Sequence, residues 1–124
     1  MRKMKIKVGK TEVEAVLTNK NPETADAIWR ALPLRGKTNR WGDEIYFEIP
    51  VRTEKENSQE VVEMGDMGFW PPGHALCIFF GPTPVSKKGE IRAYSAVNVF
   101  ARVVGDTKVF KEVGDGEEMT VSRI

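Results

Sequence analysis

Apolar and polar residues alternate at the start of the chain, which predicts a strand buried on one face. Between residues 3 and 8, apolar residues alternate with lysines, and this period of two is typical of a half-buried strand. Gly9-Lys10 provides a turn, and the alternation continues over residues 13–17. We therefore expect the first two strands to form a hairpin.

A helical pattern replaces the alternation between Asn21 and Pro33. Apolar residues recur there at i, i+3, i+4 and i+7, on one face of a helix: Ala25, Ile28, Trp29 and Leu32. Asn21 suits the N-cap and Pro22 the first helical position, while Pro33 ends the pattern. The sequence predicts a helix over residues 22–32.

Runs of β-branched and aromatic residues predict the remaining strands, at 41–51, 61–62, 67–70, 76–80, 96–104 and 119–124. Polar segments predict surface loops at 35–40, 52–60 and 83–92, and residues 107–113 predict a short helix. About eight strands favour a mainly β fold in a single domain, residues 1–124. We expect a closed eight-stranded β-barrel with one or two helices capping its ends, because closure removes exposed strand edges.

Charge and cysteine content narrow the function classes. The chain has 19 basic and 18 acidic residues, a net charge of +1. The lysines of the first strand share a face, but Glu12 and Glu14 are placed to pair with them, so we expect no nucleic acid partner. No apolar run approaches the roughly 20 residues that cross a bilayer, so we expect no membrane partner. A single cysteine, Cys77, allows no internal disulfide and fits the cytoplasm; nothing sets the oligomeric state.

The residue types that carry chemistry are concentrated in MGDMGFWPPGHALCIFFGPTP, residues 64–84. Gly65, Pro71 and Gly73 match G-x5-P-x-G, which begins the second motif of the cupin barrels. Leu76 stands where that motif has a histidine, and His74 lies two residues early. Because His74 is the only histidine, and a transition-metal site needs three or four suitable ligands, we expect no metal and no cofactor.

Two other interpretations of this segment concern a thiol and a groove. Cys77 lies in an apolar run that raises a thiol pKa and hides the sulfur, so we expect a structural cysteine rather than a nucleophile. Trp70-Pro71-Pro72-Gly73 is a rigid bend, because proline fixes φ and cannot donate to a sheet. Such a bend beside aromatic residues suits an apolar ligand groove, with Tyr46, Phe47, Trp70, Pro71, Pro72, His74 and Phe80 as candidate residues. The alternative is that Trp70 and both phenylalanines of the Phe79-Phe80 pair are ordinary core residues.

Four patches, in the right order, resemble the cyclophilins. PETADAIWRAL (22–32) resembles the helix pattern P-x-T-A-E-N-F-R-A-L, and GDEIYFEIP (42–50) resembles G-x-x-F-x-R-I-I-P. Residues 65–81 resemble G-x-L-S-M-A-N followed by S-Q-F-F-I, and residues 98–113 resemble V-V-F-G-K-V-x-x-G-x-x-x-V-x-x-I. WGDEIYF (41–47) and residues 65–81 are closer still to a small prokaryotic cyclophilin-like family of uncharacterised function. The resemblance implies a closed eight-stranded barrel with helices at its ends.

The resemblance implies a cyclophilin groove without most of the catalytic set. Phe47 stands where cyclophilins have their catalytic arginine, and Ile78 replaces the glutamine of S-Q-F-F. Phe80 carries over from the phenylalanine pair. The late pocket tryptophan and histidine of cyclophilins fall near Arg92 and Val97.

Arg40 and Arg52 are the candidates for a displaced cation. We therefore predict a cyclophilin-like binding domain that takes a peptide, for example a proline-containing one, or a small molecule, with no residue assigned a catalytic role. The alternatives are a weak peptidyl-prolyl cis-trans isomerase and a metal-binding cupin-like barrel.

Overall fold

The computed structural model describes residues 2–124, which form ten strands, one α-helix and two 3-10 helices. The strands are β1 Lys3–Val8, β2 Thr11–Leu17, β3 Leu34–Lys37, β4 Asn39–Trp41, β5 Glu44–Glu48, β6 Gln59–Val62, β7 Asp66–Trp70, β8 Ala75–Phe79, β9 Ile91–Val104 and β10 Glu118–Arg123. Helix α1 covers Pro22–Ala31, and the 3-10 helices cover Pro71–Gly73 and Thr107–Glu112. Within this range no helix has both the length and the apolar character to span a membrane.

Nine of the ten described strands follow one antiparallel path, β3-β10-β1-β2-β9-β7-β8-β5-β4, and β6 pairs separately with β9. Across residues 2–124 no backbone ladder joins the outer strands β3 and β4. The predicted closed eight-stranded barrel is therefore wrong in its strand number and in its closure by hydrogen bonds. The mainly β class is confirmed, as is the β1–β2 hairpin.

The barrel is completed at a seam between β3 and β4, where Thr38 is the single residue that separates the two strands. The Thr38 N–H donates to the Glu117 carbonyl at 2.8 Å, and its carbonyl accepts from the Gly116 N–H at 2.7 Å. Across the seam, Gly36 lies so close to Phe47 that a Cβ at position 36 would be 2.5 Å from Phe47 Cδ2. Covalent continuity and packing take the place of a ladder here.

Two predicted boundaries around this seam are wrong. The segment 35–40, predicted as a loop, supplies most of β3 and β4, because an edge strand needs backbone partners more than apolar side chains; β3 pairs with β10 from Leu34 to Lys37. The single strand predicted over 41–51 is interrupted after β4 by a turn at Gly42-Asp43. Gly42 has a φ of +59°, which glycine adopts without steric cost.

Helix α1 confirms the prediction from the apolar stripe and begins at Pro22. Asn21 occupies the N-cap position, but its side chain makes no capping hydrogen bond. The cap is supplied from a distant segment: the Glu56 carboxylate accepts from the N–H groups of Glu23 and Thr24, each at 3.1 Å. This carboxylate fixes the long loop before β6 against the helix.

Strand β9 is longer than predicted and begins at Ile91 instead of Ala96. Its first part pairs with β6, and its second part pairs with β7 and β2. Because the residues before Ile91 are polar, the sequence pattern does not indicate that the strand begins there. Because β9 starts earlier than predicted, residues 93–97 lie over the sheet beside β8.

Buried side chains fall into two clusters because strands β5, β7 and β8 are covered on both faces. Successive side chains of a strand point to opposite faces, so β8 sends alternate residues to each cluster. The barrel interior includes Ile45, Phe47, Met67, Phe69, Leu76, Ile78 and Phe80. The second cluster, on the outer face, includes Val62, Ala75, Cys77, Phe79, Ala93, Val97 and Val99. Residues 76–80, predicted as a strand, are therefore buried on both faces of the sheet.

Candidate functional site

A half-open cavity of about 360 Å³ lies over the outer cluster, where β5, β8 and the first part of β9 meet. Its lining combines four aromatic side chains, two of them tyrosines, with one carboxyl, one thiol and one serine hydroxyl. The lining residues are Trp41, Glu44, Tyr46, Trp70, Cys77, Ala93, Tyr94, Ser95 and Val97. We call this site the aromatic cavity.

Three of the rings form two edge-to-face pairs that share Tyr94. Tyr94 lies between two tryptophans, with centroid distances of 6.0 Å to Trp41 and 5.8 Å to Trp70 and interplanar angles of 74° and 89°. Edge-to-face pairs of this kind stabilise ring positions beyond what burial provides. Tyr94 is nevertheless 71% exposed, which places it at the mouth of the aromatic cavity.

Trp70 is held from two sides. Its Nε1–H donates to Ser95 Oγ at 2.6 Å, which joins the end of β7 to β9. On the other side the ring packs against Gly73 in the Pro71–Gly73 turn, where no Cβ intervenes. The rigid bend predicted at Trp70–Gly73 therefore packs against the indole ring of Trp70 and fixes its position.

Glu44 is the lining residue with an acidic side chain, and the residue is 6% exposed. Its neighbours across the sheet are Trp41 on β4 and Phe79 on β8. Burial raises the pKa of the Glu44 carboxyl to about 7, and a hydrogen bond from the Cys77 thiol offsets only part of the rise. The cavity therefore contains a carboxyl group that is close to half ionised at neutral pH.

Cys77 faces Tyr46 across the β5–β8 pair and is 3% exposed. Its Sγ lies 3.8 Å from the Ala75 carbonyl oxygen, a second acceptor within reach of the single thiol proton. Burial, together with the nearby Glu44 carboxylate, raises the pKa of the thiol. These surroundings oppose thiolate formation, as the sequence interpretation of a structural cysteine requires.

The structure separates the predicted groove residues into three groups. Tyr46 and Trp70 both line the aromatic cavity. Pro71 and Pro72 form the 3-10 turn that follows Trp70, and His74, at a φ of 51°, ends that turn outside the lining.

Phe47 and Phe80 belong to the barrel interior, on the opposite face of the sheet from the aromatic cavity. Tyr46 and Phe47 therefore face opposite sides of the sheet from neighbouring positions of the same strand, β5. Among residues 2–124, no three His, Cys, Asp or Glu side chains are grouped so that they could hold a metal ion.

Sequence reasoning missed Trp41, Glu44, Tyr94 and Ser95 as cavity residues. Glu44 carried a usable signal, because an acid two positions before Tyr46 shares its strand face. Tyr94 and Ser95 carried none, since they lie in a segment whose pairing with β6 depends on a contact about 30 residues distant in sequence.

The two candidate arginines are bound elsewhere. Arg40 donates to the carbonyls of Lys111 and Val113 at 3.1 and 2.9 Å and pairs with Asp43 at 2.9 Å. It also lies over the Phe80 ring, 4.9 Å from the centroid. Arg52 donates to backbone carbonyls of its own segment. Neither guanidinium lines the aromatic cavity.

Comparison with known proteins agrees with this architecture. The family model described as Cyclophilin-like matches residues 2–122. The solution structure of a hypothetical protein from Archaeoglobus fulgidus is similar, with a TM-score of 0.83 and 46% sequence identity over 99% of this chain and 95% of that one. No curated protein matches the sequence. The chain therefore belongs to the cyclophilin-like family.

Proposed function

We propose that this protein is a binding domain that takes a small organic ligand, or a peptide side chain of similar size, in the aromatic cavity. The observation that carries the proposal is the cavity itself, which sets four aromatic side chains around a buried carboxyl group. Its volume of about 360 Å³ lies in the range of small-molecule sites, which are mostly apolar with a few polar groups for orientation. We further propose a cytoplasmic location, on the single-cysteine composition.

Tryptophan resonances provide a direct test. The three tryptophans divide into two that line the aromatic cavity, Trp41 and Trp70, and Trp29, which lies between Arg2 and Arg123 on helix α1. A fragment library and a set of proline-containing tetrapeptides should be screened against ¹⁵N-labelled protein. We expect hits to shift the indole N–H signals of Trp41 and Trp70 and to leave that of Trp29 in place.

A matched pair of variants identifies the site. Tyr94 and Val104 are both exposed residues of β9, at opposite ends of the strand. Tyr94→Ala should weaken every true hit, whereas Val104→Ala should weaken none. Hits that shift Trp29 alone, or that bind both variants equally, would contradict the proposal.

A further inference from the structure

We infer that the ligand of the aromatic cavity is a small organic cation, an alkylated ammonium group that the aromatic rings surround and the Glu44 carboxylate neutralises. This inference rests on the proposed function and adds the chemical class of the ligand. The shared chemistry is the ammonium group, whether a free small molecule or a modified lysine side chain carries it.

The charges around the site support a cation. The lining residues include the Glu44 carboxyl and no lysine, arginine or histidine. The two arginines that neighbour lining residues in the sequence are already paired: Arg92 with Glu90 at 2.7 Å and Glu60 at 2.9 Å, and Arg40 with Asp43. A buried carboxylate without a partner is costly, so a cationic ligand would supply the charge that the protein does not.

The aromatic rings provide the second element of cation recognition. A cation over the face of Trp or Tyr is attracted by the ring quadrupole, and several rings around one cavity can form a cage for a quaternary ammonium group. Trp41, Trp70 and Tyr94 line one cavity, with Tyr94 in edge-to-face contact with both indoles. The Trp70 N–H, which an anionic ligand could use, is already bonded to Ser95.

Ionisation of Glu44 should be linked to ligand binding. Burial raises the pKa of Glu44 to about 7, so the carboxyl is mostly neutral below that pH. A cation binds the ionised form of the carboxyl better. The other titratable groups of the lining are the Cys77 thiol on β8, Tyr46 on β5 and Tyr94 on β9. Burial raises the pKa of the Cys77 thiol, whereas it brings the pKa of Glu44 to about 7, so Glu44 is the group expected to change charge between pH 6 and 8.

The decisive probes are choline and its uncharged isostere 3,3-dimethyl-1-butanol, titrated by calorimetry and NMR. We expect choline to bind about tenfold more tightly than the alcohol. Its affinity should rise about tenfold from pH 6 to pH 8, since the ionised fraction of a group with a pKa near 7 grows by that factor. An N-acetylated peptide containing trimethyllysine is the third probe. If this peptide binds more tightly than choline, the ligand is an ammonium group carried by a protein. If it binds more weakly, the ligand is a free small molecule.

Variants separate charge from shape. Glu44→Gln keeps the size of the side chain and should abolish both the preference for choline and its pH dependence. Tyr94→Phe should retain the affinity within about threefold, because the ring face remains, whereas Tyr94→Leu should lower it about tenfold.

Equal binding of choline and the alcohol, or an unchanged choline affinity in Glu44→Gln, would overturn the cation inference while leaving a ligand site in the aromatic cavity. Absence of choline binding up to about 10 mM, a Kd range beyond useful affinity, would also overturn it. The proposed function itself would fall only if the fragment screen gave no hits, hits that shift Trp29 alone, or hits that bind Tyr94→Ala and Val104→Ala equally.

Discussion

The indole of Trp70 packs against Gly73 so closely that a Cβ at position 73 would lie 2.5 Å from ring carbon Cζ3 and 2.6 Å from Cε3. Two residues three positions apart thus fix one wall of the aromatic cavity. The hydrogen bond from Trp70 to Ser95 holds the opposite side of the same ring. The prolines between them make the turn rigid, so the backbone cannot relieve an overlap with the ring by a small adjustment.

Replacing Gly73 by alanine should therefore displace the Trp70 ring. We expect the Trp70 indole N–H resonance to shift and its hydrogen bond to Ser95 to weaken, with a loss of stability of about 1–3 kcal/mol from overpacking. Gly114→Ala is the matched control, because a Cβ there would meet no atom within 4 Å. An indole resonance that is unchanged in Gly73→Ala would contradict this account.

Glu44 should make the stability of the protein depend on pH. The carboxyl loses its proton near its ordinary pKa of 4.5 in the unfolded chain and near 7 in the folded protein. The folded state therefore binds more protons between these values, and stability falls as the pH rises through this window. A shift of that size corresponds to about 3 kcal/mol.

Glu44→Gln removes this titration and should be more stable than the parent protein at pH 8, with a smaller difference at pH 5. Urea unfolding at both pH values measures the two differences. Glu48→Gln, an exposed acid on the same strand, is the control and should show no such change. A Glu44→Gln difference that is the same at pH 5 and pH 8 would refute the linkage.

Phe79 and Phe80 should both be essential to stability although they face opposite sides of the sheet. Phe79 lies in the outer cluster and Phe80 in the barrel interior, 5.7 Å from the Phe110 ring centroid, and both are fully buried. Truncation of either to alanine should cost about 3–5 kcal/mol in chemical denaturation. Tyr94→Ala, at the mouth of the cavity, should lower the free energy of unfolding by less than about 1 kcal/mol. A larger loss in Tyr94→Ala than in the phenylalanine variants would show that the buried and exposed positions are misassigned.

The Cys77 thiol should react slowly in the native protein. It is nearly inaccessible, and its raised pKa leaves little thiolate. We expect labelling by a disulfide reagent at pH 8 to proceed at the rate of protein opening and to become fast in urea. Immediate stoichiometric labelling without denaturant would place the sulfur outside the core.

Prolyl isomerisation should be negligible. Lowering the amide rotation barrier of about 18–20 kcal/mol in the cyclophilin manner needs a cationic donor at the prolyl nitrogen, yet Phe47 is in the core and Arg40 is bound to carbonyls and Asp43. The uncatalysed reaction takes tens of seconds, so a protease-coupled assay would detect modest acceleration. A rate that grows with protein concentration, and that Arg40→Ala or Arg52→Ala abolishes, would contradict this expectation.

The fold was largely predictable where local pattern and tertiary burial agree. Helix α1 followed from its apolar stripe, and the β1–β2 hairpin from its alternation, because each buries the face that its own period defines. Strands β3 and β4 were missed because polar residues can form an edge strand once β10 and β5 provide backbone partners.

The site was less predictable, because it is assembled from strands that are distant in sequence. Tyr46 and Trp70 could be proposed as exposed aromatics beside a bend, but Phe47 and Phe80 were proposed with them because their strand faces were not assigned. Tyr94 became part of the site through the pairing of β9 with β6. A strict assignment of alternate faces along residues 44–47 would have separated Glu44 and Tyr46 from the interior residues.

The one-residue connection at Thr38 determines how the barrel can open. Neighbouring Cα atoms are about 3.8 Å apart, so the two sheet edges that meet at Thr38 cannot separate there. Any breathing of the barrel at this seam must be a hinge motion that widens away from Thr38. Phe47 lies against Gly36 across that line, so its ring covers the seam two residues from the hinge, where the opening is narrow. Because β3 takes its backbone partners from β10 and not from β4, such a motion leaves the hydrogen bonds of β3 intact.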